Sequence, residues 1–108
     1  MRTVTEKAIK AFLNGKNCKL GGKQYYTHTV NTEIKDGVMY LHENAIAKLI
    51  NGELYVSFAG WGSVTTRERL EGFRYFGFDI SVSQYKHEQY LNGKKVDDLY
   101  KWHHIEKI

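Results

Sequence analysis

Three two-residue turn signals constrain this chain more than anything else in it: Asp36-Gly37, Asn51-Gly52 and Asn92-Gly93. A type I′ turn needs positive φ at both central residues, which Gly adopts freely and which Asn and Asp tolerate well. Closing a hairpin at Asp36-Gly37 sets Ile34 opposite Met39, Thr32 opposite Leu41 and Val30 opposite Glu43. Closing one at Asn51-Gly52 sets Leu49 opposite Leu54, Ala47 opposite Val56 and Ala45 opposite Phe58. The other faces carry Glu33, Lys35 and Tyr40 in the first hairpin, and Lys48, Glu53, Tyr55 and Ser57 in the second. Two hairpins that each separate apolar from polar residues predict an antiparallel sheet covered on one side.

Helical patterns flank that sheet. Thr3-x-x-Glu6 has the spacing of a capping box, Ala8, Ile9, Phe12 and Leu13 follow at helical intervals, and Asn14-Gly15 is a stop. Thr65-x-x-Glu68 predicts a second helix, cut short by Gly72, with Arg67 and Glu71 as an i,i+4 pair and Leu70 and Phe73 facing inward. Beyond Asn92-Gly93, the residues Val96, Leu99, Tyr100 and His103 predict a C-terminal helix, with a closing strand from Lys94 as the alternative. The fold class is α+β, in one domain. Residues 1–15 are the N-terminal helix, 16–23 a basic loop, 24–95 the sheet with its central helix, and 96–108 the C-terminal segment.

Composition bounds the function. At 108 residues there is room for one core. Eight Tyr, five Phe and two Trp argue against intrinsic disorder, and the mean hydropathy of −0.54 indicates a wet surface. The one cysteine, Cys18, excludes an intramolecular disulfide framework. No run has the length of a signal peptide's apolar core or of a membrane span, so the expected location is the cytosol of the host cell, away from membranes. Sixteen Lys and Arg against twelve Asp and Glu give a net charge of +4, which favours nucleic acid or an acidic protein surface without requiring either.

No catalytic or metal-binding pattern stands out. His103-His104 are adjacent and would diverge on a helix, Cys18 and His28 are too far apart in sequence to read as a ligand pair, and there is no second cysteine. Cys18 lies between Lys16 and Lys19, which would lower its pKa, yet no motif of nucleophilic catalysis surrounds it. The carboxylates suit turns and helix starts, and Gly60-x-Gly62 lacks the rest of a phosphate-binding loop. The expectation is a protein that is not an enzyme and takes no cofactor and no metal.

Two stretches carry binding chemistry. In the first, Gly60 and Gly62 flank Trp61, and Ser63, Thr65 and Thr66 precede Arg67 and Arg69 at a helix start. Backbone donors, hydroxyls and guanidinium forks there would suit an anion; the competing reading makes Trp61 a core anchor and the glycines a tight corner. The second is a scatter of Tyr with Lys and Arg, among them Arg74-Tyr75, Tyr40, Tyr55 and Tyr90, with Lys16, Lys19 and Lys23 in the basic loop. Such interleaving would serve as a stacking platform for single strands or as a protein hot spot, or as ordinary cross-strand packing.

The run Asn31-Thr32, Leu41-His42-x-Asn44-x-Ile46-Ala47, Ala59-Gly60-Trp61-x-Ser63-x-Thr65-Thr66-Arg67-x-Arg69-Leu70 and Tyr90-Leu91-Asn92-Gly93-Lys94 resembles a family of small phage and prophage proteins. The resemblance spans residues 30 to 95, leaving the N-terminal helix and basic loop outside, and Glu43 and Glu71 stand where that family more usually carries Gly and Asn. It implies an origin in a phage or mobile element and, by association, a stoichiometric inhibitor of host defence of the anti-CRISPR kind. The partner would be a host protein or ribonucleoprotein, with a nucleic-acid-binding accessory protein as the alternative. Monomer and homodimer both stay open, since an unpaired edge strand can pair two copies.

Overall fold

A computed structural model of the chain describes residues 3–20 and 31–108, which form an α+β fold. Helix α1 runs over Thr3–Leu13 and buries Thr5, Ala8, Ile9 and Phe12. It stops where the sequence places the stop. Gly15 takes φ 69°, and the amides of Gly15 and Lys16 reach back to the Phe12 and Ala11 carbonyls at 3.3 and 2.9 Å. That satisfies two of the carbonyls a helix end leaves open.

Six strands form the main sheet: β1 (Cys18–Leu20), β2 (Thr32–Lys35), β3 (Val38–Leu41), β4 (Asn44–Ile50), β5 (Glu53–Val56) and β9 (His103–Ile105), in that spatial order and all antiparallel. A second sheet holds β6 (Val82–Tyr85), β7 (Glu88–Leu91) and β8 (Lys94–Lys95). Between them run α2 (Val64–Glu71) and a 3₁₀ turn over Gly72–Phe76. α1 lies on β1, β2 and β3, while α2 contacts β4 and β6. Phe12, Phe73 and Phe78 make successive edge-to-face contacts at 5.5 and 6.0 Å through the core between helix, sheet and 3₁₀ turn.

The hairpin registers follow from the turns. Ile34 pairs with Met39, Thr32 with Leu41, Leu49 with Leu54 and Ala47 with Val56, and Asp36, Asn51 and Asn92 all take positive φ beside their glycines. Val30 lies outside the described residues, and Glu43 turns the corner into β4 instead of facing a strand partner. Ala45 does not pair with Phe58, because β5 ends at Val56, and it faces Tyr40 of β3 on its other side, where a bulge at Ile46 shifts the β3–β4 register. The bulge turns Ile46 and Ala47 both inward, so Ser57, opposite Ile46, is buried and not on the polar face.

Two further turns use residues unsuited to them. His42-Glu43 takes φ 49° and 69°, and Lys86-His87 takes 49° and 67°. A left-handed conformation costs an L-residue roughly 1–2 kcal/mol, partly offset by the extra freedom glycine gains when unfolded. Glu43→Gly and His87→Gly are each expected to raise stability by about 0.5 kcal/mol, additively, in urea unfolding.

Two segments differ from expectation. The basic loop contains a strand, since Cys18–Leu20 completes the sheet against Thr32–Ile34, and its residues 21–23 lie outside the described residues. The C-terminal segment forms no helix. Residues 103–105 pair along the free edge of β5, and the Asp79 and Ile108 amides bond to the Glu106 and Gly77 carbonyls at 2.8 and 2.7 Å. An unfilled sheet edge outcompetes a short helix that would have only its own local hydrogen bonds.

Candidate functional site

The chain leaves β5 through Ser57 and Phe58 and turns sharply at Ala59 and Gly60, whose φ values are 53° and 77°. The Trp61 amide closes the turn onto the Phe58 carbonyl at 2.9 Å, and the Gly60 amide bonds to the Leu99 carbonyl at 2.9 Å. Gly60 is needed twice over, because a Cβ there would lie 2.2 Å from the Tyr100 ring. Gly62 is needed for space alone: its Cβ would meet the Gln89 side chain at 2.6 Å.

Arg67 locks this corner to the second sheet. One guanidinium nitrogen donates to the Gly62 carbonyl at 2.8 Å and to the side-chain oxygens of Gln84 and Gln89 at 2.6 and 3.1 Å. The side chain of Ser63 caps α2 by accepting from the Thr66 amide at 3.1 Å, so the helix begins two residues before the expected Thr65 cap. The predicted Arg67–Glu71 pair does not form, because Arg67 is turned to the glutamines while Glu71 holds Arg74 and the Val82 amide.

On this fixed frame Trp61 is 67 % exposed, which overturns its reading as a core anchor. Val64 and Tyr100 are 73 % and 74 % exposed beside it. Next to the indole is a cleft of about 250 Å³ lined deep down by Leu41, Ile46 and Phe58 and nearer the surface by His42, Asn44, Ser63 and Thr65. Among the described residues no lysine, arginine or carboxylate lines it. A projecting aromatic beside a recess with an apolar floor suits an uncharged side chain of a protein partner better than an anion.

The other expected site residues scatter. Arg69 is a structural residue, 1 % exposed. Its guanidinium donates to Thr5 and Thr32 at 2.7 and 3.1 Å and to Glu68, which also accepts from Thr5, so α1, β2 and α2 share one buried polar knot. Thr66 is buried too. Arg74 and Tyr75 are exposed on the 3₁₀ turn, with Arg74 paired to Glu71 at 3.2 Å. Lys16 and Lys19 are exposed at the opposite sheet edge, and Lys23 lies outside the described residues.

Two titratable groups have shifted pKa values. Burial pushes the Cys18 thiol up, partly offset by a hydrogen bond with the Ile34 backbone, so the neighbouring lysines do not make it a thiolate. Burial, helped by the Lys101 charge and opposed by Asp98, holds His103 below its ordinary value of 6.5, and its Nε2 is buried with no hydrogen-bond partner among the described residues. A folded-state pKa below the unfolded one means that the unfolded chain takes up the proton first. The stability due to neutral His103 is therefore complete above about pH 6.5 and is lost as pH falls through that value. His103→Gln should remove that part of the pH dependence, read as the difference between the two proteins in urea unfolding at pH 8 and pH 5.5.

Among the described residues no group of three or more His, Cys, Asp and Glu stands together, and no helix is long and apolar enough to cross a membrane. No curated protein and no solved structure matches the chain. The model of the family described as Kyanoviridae Gp96 protein matches residues 1–106, so the N-terminal helix and the basic loop fall inside the match. The protein whose corner, cleft and buried knot are described above belongs to the Kyanoviridae Gp96 family, a family of phage proteins.

Proposed function

We propose that the protein is a non-enzymatic phage inhibitor that binds a protein component of a host defence complex, in the manner of an anti-CRISPR protein. Its contact is Trp61, Val64 and Tyr100 with the cleft beside them. The observation that carries this reading is the exposure of Trp61 on a backbone already held by hydrogen bonds with Phe58, Leu99 and Arg67. A pre-ordered aromatic loses little freedom on binding, and Trp and Tyr dominate interface energetics. Membership of a phage family supports a partner in the cytosol of the infected cell.

The test has two arms. Immobilised protein is expected to retain a defence-complex subunit from host lysate, and its expression in the host to restore plating of a phage that this defence restricts. Trp61→Ala should lose both effects together. Plating restored equally by Trp61→Ala, or retention of the same subunit by it, would refute the assignment of the corner.

A further inference from the structure

A second recess lies between the three-stranded sheet and β9. Its volume is about 480 Å³, and Lys94 and Lys95 of β8 line it together with Lys101, Trp102 and His103 leading into β9. Among the described residues no carboxylate lines it. Lys95 is offset by Glu88 and Asp97 at 3.8 and 3.6 Å, but among the described residues no salt bridge engages Lys94 or Lys101. Lys48 adds a fourth cation, its ammonium 4.1 Å over the Trp102 ring.

We propose that this groove binds single-stranded nucleic acid, with lysines on phosphates and Trp102 toward the bases. Lysines alone would serve an acidic peptide equally well. What favours nucleic acid is the half-buried indole of Trp102 among them, which gives unpaired bases a stacking surface. A duplex keeps its bases stacked inside and would offer the ring nothing. The proposal is independent of the host-protein reading, although a partner that is a ribonucleoprotein would satisfy both.

The experiment is fluorescence anisotropy with labelled oligo-uridine RNA and oligo-thymidine DNA of about 12 nucleotides, a length within the range such grooves cover. Binding is expected at 50 mM salt. With about three phosphates neutralised it should weaken roughly 20-fold at 200 mM. The pair Lys94→Gln with Lys101→Gln, both at exposed positions, should abolish most of the binding, whereas Lys7→Gln on the exposed face of α1 should leave it unchanged. Trp102→Phe should bind less tightly while keeping the salt slope. No binding at 50 mM, equal losses from Lys7→Gln and the lysine pair, or tighter binding of polyglutamate than of either oligonucleotide would each overturn the proposal.

Discussion

Arg69→Ala is expected to destabilise the domain by about 3 kcal/mol, the lower end of the range for breaking a buried ion pair, because Glu68 keeps some contact with solvent. Arg69 is the largest fully buried side chain among the described residues. Its loss leaves a cavity and strips a charge-assisted donor from Thr5, Thr32 and Glu68 at once. For a domain of this length that corresponds to a fall in Tm of roughly 15 °C. Arg69→Lys should rescue little, since an ammonium cannot span three acceptors held in the plane of a guanidinium. Arg69→Met with Glu68→Gln should recover part of the loss by removing both charges. A Tm within about 3 °C of wild type for Arg69→Ala would show that the knot adds little stability.

Trp61→Ala is expected to do the reverse. Its side chain is mostly in water and supports nothing beneath it, so unfolding should change by no more than about 0.5 kcal/mol. Affinity for the host partner should fall at least about 30-fold, the loss that corresponds to a hot spot of 2 kcal/mol. Tyr100→Ala should fall short of that while acting in the same direction, because Tyr100 also packs over Gly60. Titration of the captured subunit against wild type and both variants separates these outcomes. A Trp61→Ala protein that binds as tightly as wild type but melts early would return Trp61 to a structural role.

These two residues show how far the candidate site could be read from the chain. Trp61 and Arg69 stand in one short motif with the same look of a binding loop, and their fates are opposite. Trp61 stands in the turn before α2 and Arg69 within the helix, and only the packing of α1 and β2 against α2 puts Arg69 under cover. Arg67 likewise looks like a partner for Glu71 at helical spacing, until β6 and β7 bring two glutamines within reach. Thr5 and Thr32 carry no signal of the knot at all, being ordinary polar residues on a helix and a strand. The cleft beside Trp61 was equally hidden, as its lining comes from two separate stretches of chain.

What the chain determined by itself is local: the type I′ turns at Asp36-Gly37, Asn51-Gly52 and Asn92-Gly93, the hairpin registers they set, and the stop of α1 at Gly15. Each depends on backbone preferences within a few residues, which the amino acids carry with them anywhere. Tertiary structure decided the bulge at Ile46, the burial of Arg69, the exposure of Trp61 and the conversion of the tail into β9. Those depend on partners tens of residues away, and the helical spacing of Val96, Leu99, Tyr100 and His103 could not register that β5 would have an open edge.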